Sequence, residues 1–210
     1  MKEYLSCIEM AKQLNFFERE KFLVGGTSVR PNDVLQKMVS GYGAKNVIEI
    51  GTGFGTATIA IASCVSVERV ISFDVKPSIW QKYLAKQFQL QDKIEFITVE
   101  NSQEIYDKIK KYKFDFAYID GGHIPPFPEE DFKACKKAGR ILMDDAYSKH
   151  VSKVIQDNKG MAVSIRFGYW AKDGDYTIAE KIRSKIIEDD IMGPDGKLQC
   201  DFNYLYDFTS

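Results

Sequence analysis

Cysteine and histidine are both scarce in this chain. Its 210 residues hold four cysteines (Cys7, Cys64, Cys135, Cys200), far apart and without a Cys-x-x-Cys pair, and two histidines, His123 and His150. Such cysteines read as the reduced thiols of a cytosolic protein, although four could in principle pair. An excess of charge is missing too. Lys and Arg number 29 against 30 Asp and Glu, a net charge of −1, which gives no electrostatic reason to expect a nucleic acid or an anionic membrane as partner. The lysines near Lys108, Lys110, Lys111 and Lys113 then read as a solvated helix face. No apolar run is long enough to span a bilayer, the start Met1-Lys2-Glu3-Tyr4 has no signal-peptide pattern, and repeats and low-complexity segments are absent. The expectation is a soluble, cytoplasmic protein.

What is present is ordinary globular composition, 44% apolar, in a chain long enough to bury a substantial core. Helix-like spacing over Tyr4 to Lys21 is broken at Gly25-Gly26, and Pro31 opens a second helix towards Ser40. Short apolar strands are then expected at 46–50, 69–73, 93–98, 114–119 and 139–143, with helices at 56–64, 78–90, 102–112 and 129–137 between them. That alternation predicts an α/β fold built on one doubly wound, mostly parallel sheet. The runs 161–170 and 176–182 flank the turn signal Ala171-Lys172-Asp173-Gly174-Asp175 and predict an antiparallel hairpin near the end of the chain. Phe202, Tyr204, Tyr206 and Phe208 alternate as a strand would, for core or for subunit contact, which leaves a homo-oligomer open. One domain is expected over 1–210, with N-terminal helices over 1–42, a core over 43–182 and an extension over 183–210.

The most informative run is Asn46-Val47-Ile48-Glu49-Ile50-Gly51-Thr52-Gly53-Phe54-Gly55-Thr56. It reads as strand, tight glycine loop and helix, where backbone without Cβ can approach a bulky cofactor. In an open parallel sheet ligands bind beyond the carboxyl ends of the strands, so the residues there are the candidates. The second strand ends in Asp74, placed to accept from ribose hydroxyls or else to cap a helix. The third leads into Glu100-Asn101-Ser102-Gln103, groups that could read an adenine edge or simply start a helix. The fourth ends in Asp120-Gly121-Gly122-His123 and the fifth in Asp144-Asp145. Were those two strands neighbours, three carboxylates would converge at one rim. Like charges so close need a cation, a proton or hydrogen bonds, and an all-oxygen set suits Mg2+ or Ca2+, with helix capping as the alternative. Zinc is disfavoured, with no cysteine and one histidine nearby. His123 is the leading base candidate, and His150 is read as structural or exposed.

Together these residues resemble the class I S-adenosylmethionine-dependent methyltransferases, over about Gly25 to Ile182. Glu49 to Gly55 looks like their first motif, and Asp74 sits where their ribose-binding acid does. Within the class the chain looks most like the catechol O-methyltransferase-type and macrolide-sugar O-methyltransferase-type enzymes. Ser102-Gln103-Glu104-Ile105 is similar to the Ser-Gln-Asp-Ile stretch of the first, and Ile119-Asp120-Gly121-Gly122-His123 to the Ile-Asp-Gly-Asp-His signature of the second. The resemblance implies a Rossmann-like methyltransferase fold and S-adenosylmethionine as cofactor, held by Glu49, Gly51, Thr52, Gly53, Gly55, Asp74, Asn101, Ser102, Gln103 and Asp120. It implies a magnesium site of Asp120, Asp144 and Asp145 and a catalytic pair of His123 and Asp120. Three positions depart from the catechol pattern: Asp145 stands for an asparagine, His123 for the catalytic lysine, and Glu100 for a glycine beside the adenine pocket.

The expected activity is metal-assisted O-methylation of a small hydroxylated molecule. The rivals are a metal-independent N- or O-methyltransferase and a non-catalytic module on the same fold. An NAD-dependent oxidoreductase ranks lower, because Thr56 stands where its third glycine belongs. Base methylation of nucleic acid is disfavoured by the lack of an Asp-Pro-Pro-Tyr type motif and of a basic stripe.

Overall fold

The apolar runs become seven strands, β1 (Asn46–Ile50), β2 (Arg69–Asp74), β3 (Ile94–Thr98), β4 (Phe116–Ile119), β5 (Arg140–Met143), β6 (Met161–Ala162) and β7 (Gly168–Ala171). They form one sheet in the order β3-β2-β1-β4-β5-β7-β6 in this computed structural model, which describes Met10, Gln13 and residues 29–76, 78–164 and 166–190. β3 to β5 pair in parallel with their neighbours, while β7 runs antiparallel to β5 and β6 antiparallel to β7. All four residues of β4 are buried, as a strand covered on both faces requires.

Pleating sorts successive side chains to opposite faces. Val47, Phe116, Tyr118 and Leu142 face one layer, with Leu35, Met38, Ile61 and Ile182. Ile48, Ile50, Ala117, Ile119, Ile141 and Met143 face the other, with Ile105, Phe132, Val151 and Ile155. Helices α1 (Val29–Gly41), α2 (Thr56–Ala62) and α7 (Thr177–Asp190) thus cover the first face, and α4 (Ser102–Ile109), α5 (Phe127–Cys135) and α6 (Lys149–Asp157) the second. α3 (Ile79–Gln87) packs Leu84 and Ala85 on Ile59 and Ala60 of α2.

Two local expectations need correction. The antiparallel hairpin is β6 and β7, and the stretch expected to be its second strand, 176–182, opens α7 instead. Ala179 and Ile182, three residues apart, bury one helical face against α1, while Asp175 Oδ1 accepts from Thr177 N–H at 3.2 Å as the helix begins. α6 was not anticipated, although Val151, Val154 and Ile155 are spaced as a helix stripe and all three are buried. Apart from Met10 and Gln13, the helix expected over 4–21 lies outside the described residues, as do the aromatic stripe of 202–208, Cys7 and Cys200. No described helix is long and apolar enough to cross a membrane.

Sequence order reverses between β1 and β4, whose ends align through the pairing of Ile50 with Ile119. A crevice is expected at such a switch point, and it is there.

Candidate active site

Beyond β1 the chain turns through Gly51, whose N–H donates to Phe73 O at 2.9 Å. Its φ of +92° and the 2.0 Å that would separate an added Cβ from the Asp120 carbonyl oxygen leave room for glycine alone. Asp120 N–H donates to Ile50 O at 2.8 Å, so the ends of β1 and β4 are locked together. Gly53 donates its N–H to Asp74 Oδ2 at 2.7 Å and accepts from Gln81 Nε2 at 2.9 Å. Asp74 therefore shapes the loop; its other oxygen accepts from Lys76 N–H at 2.8 Å. The cap of α3 is Ser78, which accepts from Trp80 N–H, and not Asp74.

A cavity of about 310 Å³ opens over this loop. Gly51, Thr52, Gly53, Asp74, Ser102 and Asp120 line it, together with Phe73, Ile105, Gly121, Gly122 and Asp131. Other expected residues stand back from it. Gly55 is packed on Gln81, at 3.2 Å from its Cα for an added Cβ. Asn101 caps α4 by accepting from Glu104 N–H at 3.1 Å, and Gln103 is exposed.

Glu49 is fully buried behind the loop, where its Oε2 accepts from Thr58 and Ser72 while Oε1 has no partner among the described residues. Burial pushes its carboxyl from the ordinary 4.5 up to about 8, against those two hydrogen bonds. The folded protein thus keeps a proton that the unfolded chain releases above pH 4.5, so stability should fall as pH rises from there to about 8 and level off beyond. Urea unfolding across that window should show a decline approaching about 1.4 kcal/mol per pH unit from this group. Glu49→Gln should flatten it; an unchanged slope in the variant would mean that Glu49 is ionised in the fold.

At the other end of the crevice β4 and β5 are paired, Ile119 against Met143, and Asp144 N–H donates to Ile119 O at 2.8 Å. The two aspartates after β5 then part company. Asp144 turns inward, its side chain fully buried. It accepts from Arg166 Nε at 2.5 Å and Nη2 at 2.8 Å, from Tyr118 OH at 2.7 Å and from Asp145 N–H at 2.7 Å. Asp145 adopts φ +53°, a left-handed conformation that aspartate tolerates better than most residues, and carries its carboxylate to His123, with Oδ2 at 2.7 Å from Nε2. Asp120 Oδ1 lies 3.8 Å from the same nitrogen.

The carboxylates of Asp120 and Asp145 hold the His123 pKa above its ordinary 6.5, against partial burial. Burial, with the charges of Asp144 and Asp145, raises Asp120 to about 6, against its hydrogen bonding with His123. Among the described residues Asp120, His123 and Asp145 bring one ligand atom each to within 4.8 Å of one another. Asp144 does not join them. A carboxylate offers about four lone-pair sites, and four donors already meet those of Asp144, so the expected all-oxygen magnesium set is not assembled. An ion at this rim would meet one nitrogen and two carboxylates.

His150 is exposed on α6. Arg166 and Asp131 carry weight that sequence reasoning did not give them. Nothing local marks Arg166, 22 residues from Asp144. Asp131 did leave a trace, being an acid on the stripe of α5 that Pro128, Phe132 and Cys135 also bury.

Residues 48–146 match the family described as a methyltransferase domain. No curated protein matches the sequence. Among solved structures, the fold is similar to that of an O-methyltransferase from Bacillus cereus in complex with S-adenosylhomocysteine (TM-score 0.55, 19% identity, covering 88% of this chain and 79% of that one). It is also similar to TomG, the O-methyltransferase of tomaymycin synthesis from Streptomyces achromogenes, in complex with S-adenosylmethionine (TM-score 0.54, 15% identity, 89% and 78%). A third is the S-adenosylhomocysteine-bound methyltransferase PaMTH1 from Podospora anserina (TM-score 0.60, 12% identity, 77% and 85%). At these identities the likeness is one of fold. Over residues 48–146, then, this chain matches a methyltransferase domain, set in a fold like that of solved methyltransferases.

Proposed function

We propose that the protein transfers the methyl group of S-adenosylmethionine to a hydroxyl of a small acceptor, with His123 as the base. The observation that carries this reading is the position of His123. It is 2.7 Å from Asp145 and stands just past Asp120, Gly121 and Gly122, which line the cavity above the glycine loop. The acceptor oxygen attacks the sulfonium methyl, the C–O bond forms as the S–C bond breaks, and the hydroxyl proton passes to imidazole. In-line displacement of this kind depends mostly on positioning. Exposed Ile124 and Tyr147 flank His123 and Asp145 in sequence and offer an apolar footing for an acceptor. The oxygen acceptor is supported by the Bacillus cereus and Streptomyces achromogenes proteins, both O-methyltransferases. Within the cofactor cavity, Thr52, Gly53, Asp74 and Ser102 are the contacts we assign to the adenosyl group. Buried Cys64 and Cys135, neither in a disulfide with a described residue, suit the cytoplasm.

The Arg166 guanidinium on Asp144 favours a reaction that needs no metal, since it supplies the cation expected there. The grouping of Asp120, His123 and Asp145 favours a second reading, in which they hold a divalent ion and His123 is a ligand rather than the base. Calorimetry with S-adenosylhomocysteine, with NAD for comparison, should show saturable binding of the adenosyl ligand alone. Turnover of hydroxylated acceptors should then survive EDTA. Failure to bind S-adenosylhomocysteine would refute the cofactor assignment, and activity lost to EDTA and restored by Mn2+ would establish the second reading.

A further inference from the structure

The lining of the cofactor cavity contains a carboxylate that the proposed chemistry does not use. Asp131 on α5 is 2% exposed, and its Oδ1 accepts from Tyr106 OH at 2.8 Å. Its Oδ2 takes no hydrogen bond from a described residue, yet is not sealed inside the protein, because the residue borders the cavity. Gly121 keeps that oxygen reachable: a Cβ there would stand 2.6 Å from Asp131 Oδ2. A buried carboxylate with half its capacity unmet is costly, and burial duly raises its pKa to about 6, opposed by the Tyr106 hydrogen bond. A ligand that brings an N–H donor removes the cost.

The ends of the cavity say which donor. Asp74 lies beside the glycine loop, where ribose hydroxyls are assigned, and the reacting sulfur must lie towards His123. The lining that remains includes Ser102 and Ile105 of α4 and Asp131, whose carboxylate is the one charged acceptor among the three. Adenine within a nucleoside has a single donor group, its exocyclic amine. We propose that Asp131 Oδ2 accepts a hydrogen bond from the exocyclic amine of the cofactor's adenine and so selects an aminopurine over an oxopurine. This rests on the reading of the cavity as an adenosyl site.

The test compares S-adenosylhomocysteine with S-inosylhomocysteine, in which a carbonyl replaces the amine, by calorimetry above pH 7. The wild-type protein should prefer the adenosyl compound by about tenfold to a hundredfold, the range for one hydrogen bond to a charged group. Asp131→Asn retains an acceptor for Tyr106 and can turn its amide N–H to the carbonyl, so the preference should shrink or reverse. Equal binding of both compounds by the wild-type protein, whatever the variant does, would overturn the assignment. So would full discrimination by a folded Asp131→Asn. Binding of neither compound would overturn the adenosyl reading itself, a result distinct from the other two.

Discussion

Replacing Arg166 with methionine is expected to lower the stability of the fold by about 3–5 kcal/mol, the usual loss when one member of a buried ion pair is removed. The Asp144 side chain has no exposure and Arg166 is three-quarters covered, at 28%. The guanidinium meets Asp144 with two nitrogens, the geometry in which arginine and carboxylate bind best. Without it a buried carboxylate would be left beside Asp120 and Asp145, with Tyr118 OH and the Asp145 N–H as its remaining donors. Arg166 also ties the turn before β7 to the end of β5, since its carbonyl accepts from Ala146 N–H at 2.7 Å. Urea unfolding at neutral pH measures the loss, and adding Asp144→Asn to Arg166→Met should recover most of it. A single variant within about 1 kcal/mol of the wild type would mean that the pair contributes little, as exposed pairs do.

His123→Ala should reduce methyl transfer by about a hundredfold to ten-thousandfold, the contribution typical of a positioned base. The affinity for S-adenosylhomocysteine should stay within a few-fold, because His123 does not line the cofactor cavity. Since the base acts as neutral imidazole, the rate should rise with pH as His123 loses its proton. The neighbouring carboxylates place that rise above the ordinary imidazole value of 6.5. The alanine variant should lose this limb of the profile. A loss of less than threefold, or a limb that persists in the variant, would remove His123 from the role of base.

Part of this site was legible in the sequence because its determinants are local. Positive φ and close approach at Gly51 can be met by one residue type, and the residue directly follows the strand that leads into it. The regular spacing of short apolar runs and helix stripes was likewise enough for the parallel order of the sheet. Elsewhere the same cues misled. Tyr176 to Ile182 alternates well enough to suggest a strand, but its burial against α1 follows helical spacing. Asn101 is the right kind of residue for an adenine edge, yet capping α4 occupies its side-chain oxygen.

By itself the sequence determined that a glycine loop would follow the first strand of an α/β sheet, with Asp74 and Asp120 at the ends of the strands beside it. These are properties of turns and of short-range periodicity. Only the tertiary structure decided which acid does what. Consecutive residues leave a strand in opposite directions, so Asp144 and Asp145 separate, one into the interior to Arg166 and the other to the rim with His123. It likewise decided that Asp131 would border the cavity, because that depends on α5 packing beside α4 and on Gly121 leaving space between them. A carboxylate's role is set by the donors and charges around it, and here those donors come from segments far away along the chain.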